Sequence, residues 1–333
     1  MTRIAVFGAG AIGCWVGGRL SAGGADVTLI GRARVLAELE RGLRVGDLDG
    51  ATRDAKPALA TEAAAASSAD VVLVTVKSAA TADAARELAP VLAPSAIVVS
   101  LQNGVRNVGE LRDGIPERRV LAGMVPFNVV KREPGSYMRA SGGTLMFETH
   151  EAIAPLTAAC ERAELAFELR DDMPGVQWSK LVLNLNNAIN ALSGKPLAEE
   201  LGDREFRKCL AACQREALTL IEEAGIALAR ITPLPTRWIA RSLTVPDGVF
   251  KLLGRRIVAI DPHARSSMWD DLEAKRPTEI DYIQGEVVAL AHRLGRRAPI
   301  NQALVNLLKE AERGGKRTYT GAELYTAITR PTA

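Results

Sequence analysis

The stretch Arg3-Ile4-Ala5-Val6-Phe7-Gly8-Ala9-Gly10-Ala11-Ile12-Gly13 decides how the first half of the chain is read. A short apolar run enters a G-x-G-x-x-G turn, and the turn opens a helix running toward Ser21. Glycines at these positions permit a tight turn, close backbone approach to a pyrophosphate and close helix-to-strand packing. A bare β-α turn shares the shape, so the motif gains its force from its surroundings, including a second strand that ends at Ile30. Gly8, Ala9, Gly10, Ala11, Ile12 and Gly13 are therefore the expected dinucleotide-binding turn.

Working outward, β-branched runs alternate with alanine-rich, helix-length segments. Ile4-Phe7, Val27-Ile30, Val71-Val76, Ile97-Leu101 and Val120-Met124 are the expected strands. Strands spaced by crossover helices imply a parallel sheet covered on both faces, and the right-handed crossover rule makes it doubly wound. Between Pro126 and Glu148 the pattern becomes glycine-bearing and alternating, which predicts an antiparallel extension of the sheet. A helix near Ala152-Ala163 and a short strand near Ala166-Leu169 follow. From Pro174 the chain turns helical, with segments at Val176-Leu192, Arg204-Ala224, Ser267-Glu273, Asp281-Leu294 and Gln302-Ala311. The expected fold class is α/β, a Rossmann-type domain over residues 1–173 and an all-helical domain over residues 174–333.

Bulk properties exclude several classes. The 333 residues suit two domains. A net charge of +3, from 42 basic and 39 acidic residues scattered along the chain, argues against a nucleic-acid surface. Cys14, Cys160, Cys209 and Cys213 are irregularly spaced and distant from the 3 histidines, so neither a disulfide framework nor a metal site is expected. Val71-Val76 is far shorter than the roughly 20 residues of a membrane span, and the N-terminus reads as a strand rather than a signal peptide. A cytoplasmic protein that binds no membrane is expected.

Residues at strand ends refine the ligand. Where an acidic residue would bind ribose hydroxyls in an NAD site, the second strand ends Ile30-Gly31-Arg32. A guanidinium suits a 2′-phosphate, with Arg34 as a helper, so NADPH is the expected cofactor. Lys77 and Asn103 also follow strands. Lys77 could polarise a carbonyl or bind the cofactor; Asn103 could bind the nicotinamide ribose or the substrate, or simply begin a turn with Gly104.

The second half opens with Trp178-Ser179-Lys180-Leu181-Val182-Leu183-Asn184-Leu185-Asn186-Asn187-Ala188-Ile189-Asn190. At about 100° per residue Lys180, Asn184 and Asn187 share a face. A cation among carboxamides in an apolar helix needs a partner, either an oxyanion or carbonyl substrate or a structural carboxylate. In the first case Lys180 is placed to donate a proton. Downstream, Ser267 with Asp270 and Thr278 with Asp281 have S/T-x-x-D spacing, and helix capping alone would explain both segments.

Taken in order, the glycine turn, Arg32, Val76-Lys77, Gln102-Asn103-Gly104, Lys180 with Asn184, Ser266-Ser267-Met268 and Thr278-Glu279-Ile280-Asp281-Tyr282-Ile283-Gln284-Gly285 resemble the ketopantoate reductase family over essentially the whole length. The resemblance implies NADPH-dependent reduction of a small 2-oxo acid, 2-dehydropantoate to pantoate in pantothenate biosynthesis, in a cleft between the two domains. It implies Lys180 as general acid, Glu279 as an active-site carboxylate, Asn184 and Ser267 as substrate binders, and Lys77 and Asn103 as cofactor-side residues. The chain departs from the family where an asparagine commonly stands eight residues after the lysine: here it is Ala188, with Asn187 or Asn190 to stand in. Ala264 replaces another asparagine three residues before Ser267. Competing readings are a reductase of another 2-oxo acid, a β-hydroxyacid dehydrogenase, and a non-catalytic NADPH-sensing module. Apart from its substrate, the expected partner is at most a second copy in a homodimer.

Overall fold

In the first part of the chain the β-branched runs pair into one eight-stranded sheet. In spatial order its strands are β12 (Phe167–Arg170), β11 (Leu145–Glu148), β8 (Arg119–Met124), β7 (Ile97–Ser100), β6 (Val71–Val74), β1 (Arg3–Phe7), β2 (Asp26–Ile30) and β5 (Ala58–Ala60). Every adjacent pair is parallel except β8 with β11. Strands β6 and β7 are buried at every position, as strands covered on both faces must be. The computed structural model describes residues 1–246, 250 and 264–330, and the chain forms two units, Met1–Met173 and Pro174–Ala333.

From β1 the chain runs one way through β2 and β5, then returns to lay β6, β7 and β8 on the other side. The chain switches direction between β1 and β6, and the position beyond the carboxyl ends of the strands at such a switch is the usual ligand position in sheets of this kind. Helices α1 (Ala11–Ala22), α2 (Ala33–Leu36), α3 (Thr81–Leu88), α4 (Asn107–Gly114) and α5 (Ala154–Arg162) connect the strands.

One expectation is corrected here. Only β11 of the segment between Pro126 and Glu148 extends the main sheet. Strands β9 (Val129–Glu133) and β10 (Ser136–Arg139) instead join β3 (Leu43–Gly46) and β4 (Thr52–Ala55) in a separate sheet of order β4-β3-β10-β9. The reason lies in α1, whose residues from Gly13 to Leu20 are all buried. A helix apolar all round needs cover on both sides, and Trp15 meets Leu43, Val45, Phe127 and Tyr137 in one core, with its indole N–H donating to the Gly46 carbonyl at 2.8 Å.

The second unit is built from α6 (Met173–Asn184), α7 (Asn186–Ser193), α8 (Leu197–Gly202), α9 (Arg204–Glu223), α10 (Thr236–Ser242), α11 (Ser267–Glu273), α12 (Gln284–Arg293), α13 (Pro299–Glu312) and α14 (Gly321–Thr329). Helix α9 buries Phe206, Leu210, Cys213, Ala217 and Leu220 along one stripe at helical spacing and carries the core of the unit. Several boundaries shift by one to three residues from the sequence reading, and the helix expected over Val176-Leu192 begins at Met173 and that expected over Gln302-Ala311 at Pro299. β6 stops at Val74; the helix expected from Asp281 starts at Gln284 after a 3₁₀ turn, Ile280–Tyr282; and the helix expected over Val176-Leu192 is interrupted at Leu185. Strands β3 to β5 and helices α8, α10 and α14 have no counterpart in the sequence reading.

Candidate active site

The glycine turn is built from backbone. Gly8 sits at φ +119°, a region that favours glycine, and the N–H groups of Gly8 and Ala9 donate to the Ile30 carbonyl at 2.9 and 3.1 Å. A Cβ on Gly8 would lie 2.7 Å from the Val76 nitrogen, and one on Gly13 would lie 2.1 Å from the Gly8 oxygen. Both glycines are required by packing. Gly10, which caps the N-terminus of α1, is different: a Cβ there would meet nothing within 4 Å. Open space beside the first backbone N–H groups of a helix fits an anion such as a dinucleotide pyrophosphate. Arg32 is exposed just past β2, at the N-cap of α2, with Arg34 exposed two residues on.

Lys77, exposed, and Asn103, half-buried, stand beyond the adjacent strands β6 and β7. A buried polar network fixes their loops. The Gln102 amide donates to the Thr81 hydroxyl at 2.7 Å and to the Val76 carbonyl at 3.2 Å, while the Ser100 hydroxyl donates to Gln102 Oε1 at 3.0 Å. Thr81 Oγ1 lies 2.8 Å from Asn107 Oδ1, and the Asn107 amide donates to Ser78 Oγ at 3.2 Å. Ser78 Oγ in turn donates to the Asn103 carbonyl at 3.1 Å. Sequence reasoning missed these supports; their one signal was Gln102, a carboxamide inside a strand-ending apolar run.

In the second unit, the helix pair α6 and α7 is buried from Val176 to Ser193 except at Gln177, Lys180, Leu183, Asn184 and Asn187. Those positions, each half-buried, fall on a single face. Lys180, Asn184 and Asn187 share it, although the helix breaks between the last two. Burial pushes the Lys180 ammonium down from 10.5 to about 8, close to where a proton donor is most effective at neutral pH. The break itself is held by two buried carboxamides: Gln214 Nε2 donates to the Val182 carbonyl at 3.0 Å, and Gln284 Nε2 to the Leu185 carbonyl at 2.8 Å.

Gln284 belongs to the segment that carries Glu279, so its bond ties the buried Glu279 turn to the α6–α7 junction. Thr278 Oγ1 accepts from the Ile280 N–H at 3.3 Å, and Thr278 donates through both its N–H and its hydroxyl to Glu312 at 2.7 Å. The capping partner of this turn is therefore Ile280, not Asp281. The spacing of Ser267 and Asp270 also gives way to another cap: Ser266 Oγ accepts from the Trp269 N–H at 3.2 Å and donates to the Asn187 carbonyl at 3.0 Å. Ser267 is left half-buried as the first residue of α11, beside the half-buried face of α6 and α7.

The two candidate stand-ins for the missing asparagine separate. Asn190 is fully buried and its carboxamide is engaged inside the unit: Nδ2 donates to Glu200 at 2.7 Å and to the Lys195 carbonyl at 3.0 Å, and Oδ1 accepts from the Ser266 N–H at 2.8 Å. Of the two alternatives, this is the one whose side chain faces the interior of its unit. Both its amide hydrogens and one lone pair of its oxygen are committed to buried partners. Ala188 is also buried, whereas Asn187 is on the half-buried face.

Residues 4–152 match the family model of ketopantoate reductase PanE/ApbA, and residues 172–312 match that of its C-terminal region. The 2-dehydropantoate 2-reductase of Halobacterium salinarum is 28% identical over 94% of this chain and 100% of its own length. A PanE/ApbA family ketopantoate reductase from Ralstonia eutropha superposes with a TM-score of 0.82 at 30% identity, covering 94% of this chain and 99% of that one. D-mandelate dehydrogenase, solved with NADH and anilino(oxo)acetate, shares the fold at a TM-score of 0.79 and 20% identity, over 94% and 99% of the two chains.

Proposed function

This chain belongs to the ketopantoate reductase family, an oxidoreductase family, and from that premise we propose that it uses NADPH to reduce a small 2-oxo acid, with 2-dehydropantoate as substrate and pantoate as product. The observation that carries the reading is the half-buried face of α6 and α7, where Lys180 stands with Asn184 and Asn187 on an otherwise buried helix.

When bound in the glycine turn, the reduced dinucleotide supplies a hydride. Arg32 holds its 2′-phosphate, and Lys77 and Asn103 line the same ends of the sheet. Lys180 transfers its proton to the oxygen that becomes an alkoxide at C2, leaving the neutral amine. Ser267 holds the substrate carboxylate through its hydroxyl, and Glu279 orients Lys180 or a substrate hydroxyl. Asn184 orients the polar end of the substrate. With Ala188 buried and Asn187 on the half-buried face, Asn187 supplies the carboxamide that the C4 hydroxyl of 2-dehydropantoate requires.

Polar groups that lose their partner discriminate strongly. A site built around that hydroxyl rejects an analogue lacking it by up to about 10⁴-fold in kcat/KM. A panel of 2-oxo acids followed by NADPH absorbance tests this: 2-dehydropantoate is expected to be reduced far faster than 2-oxoisovalerate. Comparable rates would assign the chain to a different 2-oxo acid, and no turnover with any member would make it a non-catalytic binder.

A further inference from the structure

We propose that Glu200 is a positioning residue of the substrate site: through Asn190 it fixes the Ser266–Ser267 corner and, with it, the face that carries Asn187. This rests on the function proposed above and adds to it a residue that touches no ligand.

The geometry is a chain of buried bonds. Glu200, on the short helix α8, is fully buried. Its Oε2 accepts from Asn190 Nδ2 at 2.7 Å and from Asn186 Nδ2 at 3.4 Å, and its Oε1 is buried with no hydrogen-bond partner among the described residues. Asn190 then presents Oδ1 to the Ser266 N–H at 2.8 Å, and Ser266 spends its hydroxyl on the Asn187 carbonyl at 3.0 Å. The corner is also held by backbone, Leu197 N–H to the Ala264 carbonyl at 2.9 Å, and by Arg265, whose Nη1 donates to the Gly194 carbonyl at 2.8 Å; the Glu200 route is the one that passes through Asn190 to Ser266.

A carboxyl with an unpartnered oxygen is costly to bury, and a leucine of similar volume would fill the same space without that cost. What the carboxyl adds is direction. Together with the Lys195 carbonyl, it accepts from Asn190 Nδ2 and so fixes which way that carboxamide points, its oxygen rather than its amide facing Ser266. Burial pushes the Glu200 carboxyl up to about 8 against the opposing pull of the Asn190 and Asn186 amides, so a neutral glutamine of the same shape reproduces what it does.

The experiment compares Glu200→Leu, Glu200→Gln and Ser266→Ala with the wild-type enzyme, measuring KM for 2-dehydropantoate, kcat at saturation, and Kd for NADPH by fluorescence. Glu200→Leu is expected to raise KM about tenfold, the loss of roughly one oriented hydrogen bond, with kcat and NADPH affinity changed less than threefold. Glu200→Gln is expected to restore KM to within about threefold of wild type. Ser266→Ala, a milder change at the other end of the chain of bonds, is expected to raise KM in the same direction and keeps the test alive if the leucine variant fails to fold. An unchanged KM in a folded Glu200→Leu or in Ser266→Ala overturns the proposal. So does a parallel loss of KM, kcat and NADPH affinity, which is plain structural damage. A wild-type protein that turns over no 2-oxo acid overturns the functional reading beneath it instead, a distinguishable failure.

Discussion

The two units present their candidate residues in different materials. In the sheet unit, the turn proposed for the nucleotide is backbone: Gly8 and Gly13 let chains approach closely, and Gly10 leaves open space. In the helical unit, the residues proposed for substrate and proton transfer are side chains. Lys180, Asn184, Asn187, Ser267 and Glu279 come from four segments, and buried groups such as Gln214, Gln284 and Asn190 hold those segments in place. A backbone site is robust because its geometry follows from local sequence. A side-chain site depends on distant residues, so substitutions there should act on chemistry and substrate, while substitutions in the turn should act on cofactor or fold.

The sharpest contrast is Lys180→Ala. Removing a general acid lowers kcat by about 10²–10⁴-fold, and with the turn untouched NADPH affinity should change little. Its pH dependence has a defined sign. Lys180 must carry its proton to donate it, and burial has pushed its pKa down to about 8. In the reductive direction kcat is therefore expected to be level below that value and to fall about tenfold per unit above it, while the reverse oxidation rises over the same range. Stopped-flow single turnovers across pH 6 to 10 (about four units) read both limbs. A variant that keeps near-normal turnover, or a wild-type profile flat through this range, would remove Lys180 from proton transfer.

Legibility in the sequence follows the same division. The turn and strands β1, β2, β6, β7 and β8 were readable because each is a local pattern, an apolar run ending in a glycine turn or a loop. The second sheet was not, because β10 pairs with β3 across some ninety residues, Tyr137 opposite Val45, and what demands it is the all-round burial of α1. The helix break at Leu185 was invisible for a similar reason: the local sequence reads as one apolar helix, and the carboxamides at its freed carbonyls come from Gln214 and Gln284 on other helices. The Ser266–Ser267 pair offered two capping candidates one residue apart, and only the bond of Ser266 to the Asn187 carbonyl separates them.

A smaller effect is expected at Arg32, the side chain on which the choice of cofactor chiefly rested. Arg32→Ala removes a charged partner worth about 1.5–3 kcal/mol to a 2′-phosphate, which is roughly a ten- to hundred-fold weakening for NADPH. NADH, which has no such phosphate, should lose almost nothing. Titration of both cofactors by protein fluorescence measures the difference, and equal losses would sink the assignment of Arg32 to the phosphate.

The smallest change tests whether the turn is a binding device or only a tight corner. In Gly10→Ala the new methyl group meets nothing within 4 Å, and Gly10 already has a negative φ of −82° that alanine adopts freely. Stability should therefore stay within about 0.5 kcal/mol of wild type, as for an unremarkable surface substitution. The methyl would stand in the space beside the first N–H groups of α1, so NADPH affinity should drop about tenfold, the loss of roughly one hydrogen bond to a charged group. Gly13→Ala is the control with the opposite pattern: its methyl would sit 2.1 Å from the Gly8 carbonyl, and overpacking against backbone should lower stability by about 1–3 kcal/mol. Thermal melts and NADPH titrations of the pair decide the matter. If Gly10→Ala binds NADPH as wild type does, the open space at the head of α1 does not hold the pyrophosphate, and the contrast between backbone in one unit and side chains in the other loses its first term.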